Sequence, residues 1–233
     1  MRGIPVEVVR KPIKNLHVGV YPPFGRVRVA APQRLSDEAV RLAIISRLAW
    51  IRRQKSAFEQ QDRQSQREMV SGESHYVAGN RYRLDVIEHD APPAIRIRNR
   101  GILELRVRPG TSRQKREDVL NRWHRKRLRQ QLPDLIAQWQ RVVGVKVADC
   151  GIKRMKTRWG SCNIDERRIW LNLELAKKPP ECLEYILVHE MVHLLERHHN
   201  DAFKAYMDHF MPNWRSHRDE LNRAPLAHEE WRY

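Results

Sequence analysis

Residues 189–199, with the sequence HEMVHLLERHH, carry four histidines and two glutamates in eleven positions. They continue a segment that opens with two prolines, which are well tolerated in the first turn of a helix. The apolar residues of this segment lie nearly all round the predicted helix, as is typical of a buried helix; they are Leu183, Ile186, Leu187, Val188, Met191, Val192, Leu194 and Leu195. Buried ionisable side chains cost free energy unless they have partners. The fold must therefore supply a partner for the ionisable groups of this helix.

The spacing of the first two histidines indicates what that partner is. His189 and His193 are four residues apart, so their imidazoles project from one face of the helix, about one turn apart. This arrangement suits two ligands of a single zinc ion. Glu190 points about 100° away from His189 and can reach an activated water without binding the metal. The pattern is the HExxH arrangement of metallohydrolases, and the alternative is a pair of core histidines with a hydrogen-bonded glutamate.

A catalytic zinc site usually has three protein ligands and one open position. The candidates for the third ligand follow the helix directly; they are Glu196, His198, His199 and Asp201. On a straight helix Glu196 would lie beyond the reach of the metal, and His198 is expected at the surface. His199 follows His193 by six residues, which is the spacing of the longer HExxHxxGxxH signature. We predict His199 as the third ligand, with a turn made differently because Glu196 occupies the glycine position.

Composition and charge indicate which classes of protein and partner are compatible with this chain. The 233-residue chain is 41% hydrophobic, which is enough for a packed core, and its net charge of +17 favours polyanionic partners such as nucleic acid or nucleotides. The alternative is a protein that is simply basic. Three cysteines without a CxxC pair argue against a disulfide scaffold. No apolar stretch resembles a secretory signal or a membrane span, so we expect a cytoplasmic protein that does not enter a membrane.

Periodicity divides the chain into two expected domains, a β-rich one over residues 1–110 and a second one over 111–233. In the first, LHVGV and RVRVA predict a hairpin, AIRIR and ILELRV predict another, and a helix is expected after Ser36. The second domain is expected to begin with a helix from Thr111 to about Val143, broken or restarted at Pro133. Residues 121–130 of this helix, NRWHRKRLRQ, either contact phosphates or form a solvated face.

Four segments in the second half carry a resemblance to a known family; they are MKTRWGSC at 155–162, IWLNLEL at 169–175, EYILVHEMVHLLERHHNDAF at 184–203 and MPNWRSHRDELN at 211–222. Together they resemble the YgjP-like predicted metal-dependent hydrolases, a zincin-like group related to the SprT-like and WLM metallopeptidases. RVRVAAP, LAWIRRQ and GNRYRLDV also fit the N-terminal half of that family. The resemblance therefore covers most of the chain.

The resemblance implies an α+β zincin-like fold, in which an active-site helix lies under a small twisted sheet, preceded by the β-rich subdomain. It implies Zn²⁺ held by His189, His193 and His199, with Glu190 as catalytic base. IWLNLEL is then expected as an edge strand that pairs with an extended peptide, or as an ordinary sheet strand. The preceding turn places Arg158 and Trp159 for substrate binding, with Asn172 on the strand, and Arg158 or a backbone N–H there is expected to stabilise an oxyanion.

The expected function is that of a zinc-dependent hydrolase, and specifically a metallopeptidase with a zinc-activated water and Glu190 as general base. One alternative is a metal-dependent phosphohydrolase, a pyrophosphatase acting on nucleotides. Another is a basic nucleic-acid-associated protein with an accessory metal site. The expected substrate is accordingly a peptide or a nucleotide, with nucleic-acid contact through the basic surface and no membrane partner.

Overall fold

A computed structural model describes residues 3–21, 25–60, 67–155 and 158–223 of the chain. The described residues form two compact units, and the second begins at Arg67. The expected domain boundary at residue 110 therefore falls inside the second unit. Among the described helices, none is both long enough and apolar enough to cross a membrane.

The first unit is a three-stranded sheet followed by two helices. Its elements are β1 (Val6–Lys11), β2 (His17–Tyr21), β3 (Arg26–Pro32), α1 (Asp37–Ser46) and α2 (Leu48–Gln60). The predicted hairpin is confirmed, because β2 pairs antiparallel with β3, with Val18 opposite Val29; most of its YPPFG turn lies outside the described residues. The hydroxyl of Ser36 caps α1 by accepting a hydrogen bond from the Ala39 N–H, as the sequence predicts.

The second unit opens with a four-stranded sheet, in which the order is β4-β5-β7-β6. Its strands are β4 (Ser74–Val77), β5 (Asn80–Glu88), β6 (Ala94–Arg98) and β7 (Ile102–Val107). The predicted AIRIR–ILELRV hairpin is confirmed, with Ile97 opposite Leu103 in the antiparallel β6–β7 pair. Every second residue of β7 is apolar and buried, so one face of this sheet packs into a core with Val119 and Leu120.

A single long helix, α3 (Arg113–Val143), follows the sheet. Ser112 caps its first turn, and Gly144 ends it in the left-handed conformation at φ 74°. The prediction that Pro133 breaks the helix is wrong, since the helix continues through it. The proline removes one backbone donor, but the turns around it are held by the burial of Leu128, Leu132 and Trp139.

The remaining strands and α-helices of the second unit form its second sheet and three helices; they are β8 (Asp149–Lys153), β9 (Gly160–Asn163), β10 (Arg168–Asn172), α4 (Pro180–Val192), α5 (Asp201–Phe210) and α6 (Trp214–Arg223). A 3₁₀ helix, Leu173–Lys177, joins β10 to α4. The strand order is β8-β10-β9, so β10, which holds most of IWLNLEL, is the central strand. The expectation of an edge strand there is wrong, because β10 is paired on both sides. The edge strand beside α4 is β9. With α4 packed against β9 and β10, the mixed α+β fold expected from the sequence is confirmed.

Candidate metal centre

The centre lies at the C-terminal end of α4, which is buried on nearly all sides. The helix ends at Val192, so that His189 and Glu190 belong to its last turn and His193 is its C-terminal cap. The N–H groups of Leu194 and Leu195 each bond three residues back, to the carbonyls of Met191 and Val192. These tight 3₁₀-type bonds end the helix at the second histidine of the motif, which is its C-terminal cap.

The corner after the helix turns without a glycine. The Glu196 N–H donates to the carbonyl of Val192 (2.9 Å), and the Glu196 carboxylate accepts a hydrogen bond from the N–H of His198 (2.9 Å). Asn200 then caps α5, its side chain accepting from the N–H of Phe203 (3.0 Å). The side chain at position 196 thus stabilises the corner in which the longer zinc signature has a glycine.

This corner brings the three predicted histidines together. The ligand nitrogens of His189, His193 and His199 all lie within 4.8 Å of one another. The Nε2 atoms of His189 and His199 are 3.0 Å apart, close to the roughly 3.3 Å expected for two nitrogens on one tetrahedral zinc ion at 2.0–2.1 Å. The donor set therefore fits a zinc ion. His198 does not belong to the cluster and is exposed, as the sequence predicts.

The hydrogen-bond partner of His193 is also consistent with metal binding. His193 Nδ1 lies 3.1 Å from the carbonyl oxygen of Glu196 and donates to it when the ring carries its proton there. That tautomer leaves the lone pair of Nε2 available for a metal. The corner therefore both turns the chain and orients the second ligand.

An aromatic side chain backs the cluster. Phe203 of α5 is 3% exposed, and its ring centroid lies 4.9 Å, 4.8 Å and 4.7 Å from those of His189, His193 and His199. Tyr185, one turn before His189 on α4, contacts the first imidazole from another side at 5.9 Å. These contacts fix the orientation of the rings through packing.

Burial keeps the histidines in the form that a metal requires. Burial, together with the charges of His193 and His199, lowers the pKa of His189 to about 3. Burial also lowers the pKa of His193. Both imidazoles are therefore neutral near pH 7, and neutral imidazole is the form that ligates metals.

Glu190 is buried beside the cluster, on the side facing β9. Burial raises the pKa of its carboxyl to about 8, while the charge of Arg158 acts in the opposite direction. A side-chain carbon built at Gly160 of β9 would lie 2.6 Å from Glu190 Oε1 and 2.8 Å from its Cγ. The absence of a side chain at position 160 therefore creates the space that Glu190 occupies.

A cavity of about 1000 Å³ opens over these groups, lined by the three histidines and Glu190 and by residues of β9 and the segments that flank it. Arg158 and Trp159 line it as well, where the sequence places substrate-binding residues. The whole of β9 borders the cavity, and its outer edge is not paired with any strand of the described ranges. The cavity thus combines a candidate metal site with an available strand edge.

Asn172 does not line this cavity, and its position does not support the predicted contact with substrate. It is 4% exposed, and its side-chain amide donates to the carbonyls of Met155 (2.9 Å) and Arg158 (2.8 Å). Its side-chain oxygen accepts from the N–H groups of Met155 and Glu174. Asn172 therefore anchors the segment that carries Arg158.

Sequence reasoning missed four residues of the site, which are Gly160, Tyr185, Arg197 and Phe203. Tyr185 has a sequence signal, because it precedes His189 by one helical turn. Phe203 has a similar sequence signal, since it follows His199 by four residues. The role of Gly160 depends on the pairing of β9 with β10 and on the packing of α4, which no local pattern reveals.

Fold and site together define the class. The site has two histidines at the end of one buried helix, a third histidine in the corner that follows, and a buried glutamate next to the first. It lies against a small sheet. This combination is typical of metal-dependent peptidases. A family model described as YgjP-like, metallopeptidase domain, matches residues 16–224. The chain therefore belongs to the YgjP-like family.

Solved structures similar to this chain include two archaeal metallopeptidase zymogens. The zymogen of Pyrococcus abyssi abylysin is 20% identical, with a TM-score of 0.36, and the match covers 38% of this chain and 90% of that one. The zymogen of Methanocaldococcus jannaschii jannalysin is 18% identical, with a TM-score of 0.35, over 38% of this chain and 91% of that one. No curated protein matches this chain.

Proposed function

We propose that this metal-dependent peptidase uses zinc held by His189, His193 and His199, and that Glu190 is its general base. The observation that carries the proposal is the convergence of three imidazoles beside a buried carboxyl, on the floor of a cavity bordered by an unpaired strand edge. Three nitrogen ligands are the usual protein share of a catalytic zinc site, whereas structural zinc sites use four protein ligands.

The residues of the chain have distinct roles in this proposal. A bound zinc ion supplies Lewis acidity, which polarises the scissile carbonyl and acidifies water. Glu190 accepts the proton of the attacking water and donates it to the leaving amine. Packing against Gly160 holds its carboxyl in place. The outer edge of β9 binds an extended peptide through main-chain hydrogen bonds, which suits a peptide substrate.

The test separates metal binding from catalysis. Glu190→Gln should retain about one zinc ion per chain and lose hydrolysis of casein, because the amide cannot accept the proton. His199→Ala should lose both, because one ligand is removed. The exposed Glu181 and His198 offer matched controls, and Glu181→Gln and His198→Ala should retain zinc and turnover. Full turnover in Glu190→Gln would refute the assignment of the base.

Two other activities stay predictions, each with an observation in its favour. Arg158 and Arg197 line the cavity, which suits hydrolysis of a nucleotide phosphoanhydride. Arg122, Lys126 and Arg129 are exposed on one face of α3, which suits contact with nucleic acid. Incubation with nucleoside triphosphates in place of casein tests the first, and salt-dependent DNA binding tests the second.

A further inference from the structure

The charges that line the cavity are unbalanced. Its exposed ionised side chains are Arg158, Arg197 and Asp165. The only other carboxyl in the lining is that of Glu190, which is 5% exposed and is assigned to catalysis. No carboxylate within the described part of the chain forms an ion pair with either arginine. Two guanidinium groups are therefore available to a substrate that enters the cavity.

The main chain of Arg158 is held in place while its side chain is exposed. The Arg158 carbonyl accepts a hydrogen bond from Asn172, which is itself buried. The next residue is also fixed, because the carbonyl of Trp159 accepts from the Asn172 N–H at 2.9 Å. Because its segment is already fixed, a substrate that binds the Arg158 side chain does not have to order the main chain as well.

Arg197 has a comparable setting in the corner after α4. The acidic side chain next to it, Glu196, is already engaged by the N–H of His198. The Arg197 side chain is exposed at the cavity wall. Arg158 thus projects from the segment before β9, and Arg197 projects from the corner between His193 and His199.

The positions of Arg158 and Asp165 give the cavity a direction. Arg158 precedes β9 and Asp165 follows it, so opposite charges lie near opposite ends of this strand. A peptide that pairs antiparallel with β9 runs from the Asp165 end toward the Arg158 end. The C-terminal part of the peptide therefore lies beside Arg158.

We propose that Arg158 and Arg197 select peptide substrates with acidic side chains, and that Arg158 recognises an acidic residue on the C-terminal side of the scissile bond. This inference rests on the proposed peptidase function. A carboxylate at that position gains charge-assisted hydrogen bonds from the guanidinium group. A nucleotide would also suit the arginines, but it has no use for the strand edge that borders them.

The experiment uses the full-length, zinc-loaded enzyme and a set of three quenched fluorogenic peptides for each position tested. They differ in one residue, Glu, Gln or Lys, which is placed in turn at each position on either side of the cleaved bond. With the parent enzyme, kcat/KM should be about tenfold higher for Glu than for Gln at one position C-terminal to the bond. Arg158→Ala should reduce that ratio to about two or less, and Arg158→Glu should make Lys the preferred residue.

A matched control comes from β6, where Arg96 is exposed and does not line the cavity. Arg96→Ala should keep the parental ratio, and Arg197→Ala should lower the acidic preference at every position without moving its maximum. Equal cleavage of the three peptides, or an acidic preference confined to the N-terminal side, would overturn the inference and leave the peptidase assignment intact. Cleavage of none of them, with turnover of nucleoside triphosphates, would overturn the peptidase assignment and the inference together.

Discussion

The contact between Gly160 and Glu190 gives the sharpest prediction. A methyl group at position 160 would lie 2.6 Å from Oε1, 2.8 Å from Cγ and 2.9 Å from Cδ of Glu190. Ordinary contacts begin near 3.4 Å, so the carboxyl would have to move by 0.5 to 0.8 Å, the differences between 3.4 Å and 2.9 Å or 2.6 Å. Glu190 is 5% exposed, and the open space next to its carboxyl is the cavity that it lines. Gly160→Ala therefore displaces the proposed base.

Two magnitudes follow from that displacement. Insertion of a methyl group into a packed site costs about 1–3 kcal/mol of unfolding free energy, which lowers the Tm of a chain of this size by about 3–10 °C. Misplacement of a catalytic group by about 1 Å costs about a hundredfold in rate, so we expect kcat/KM to fall by about 30- to 100-fold. Zinc content should stay at the parental value, because the three histidines are untouched.

The assay combines peptide hydrolysis, thermal unfolding and elemental analysis of the same preparations. Gly101→Ala is the matched control, because a methyl group there would contact nothing within 4 Å. Gly160→Ala combined with Glu190→Asp should recover part of the lost Tm without recovering turnover, since the shorter side chain relieves the overlap. Parental turnover in Gly160→Ala would refute the reasoning, because it would mean that the position of Glu190 does not matter.

Two further predictions concern the surroundings of the site. Phe203→Leu removes the ring that contacts three imidazoles, and it should weaken zinc binding about tenfold with a small change in Tm. Competition with a chelator measures the zinc affinity. An unchanged affinity would show that the ring does not orient the imidazoles. Burial lowers the pKa of His124 to about 3, so below pH 6.5 the unfolded chain binds this proton more readily and stability falls as the pH falls. Between pH 7 and pH 5 the parent protein should lose unfolding free energy, and His124→Leu should reduce that loss by about 2 kcal/mol. Urea unfolding at pH 7 and at pH 5 measures the loss. An equal loss in the two proteins would contradict the lowered pKa of His124.

The sequence predicts the site better than it predicts the sheet above it. The positions of the three clustered histidines depend on helical spacing and on a six-residue step, both of which are local, so the sequence predicts that His189, His193 and His199 come together. The conformation of the corner could not be predicted from the sequence. Glu196 stands where the longer zinc signature has a glycine, and the hydrogen bond of its carboxylate that holds the corner is seen only in the three-dimensional structure.

The strand order shows where local patterns fail. The alternation in IWLNLEL predicts a strand, which forms as far as Asn172, whereas Leu173–Lys177 is a 3₁₀ helix. An edge strand and a central strand differ in their neighbours and not in their own residues. The four residues of β9, GSCN, have little strand propensity, and β9 is held by its pairing with β10. The buried position of Asn172 is not evident from local patterns either, because its partners lie 14 and 17 residues earlier in the chain.

The length of α3 has a consequence for how the second unit unfolds. The N-terminal half of the helix contributes Val119 and Leu120 to the core of the four-stranded sheet, and its C-terminal half contributes Leu128 and Leu132 to the core behind the metal centre. Neither sheet can lose its packing without exposing one half of the same helix. The two cores are therefore thermodynamically coupled through a shared rigid element, and heat should melt them in a single cooperative step.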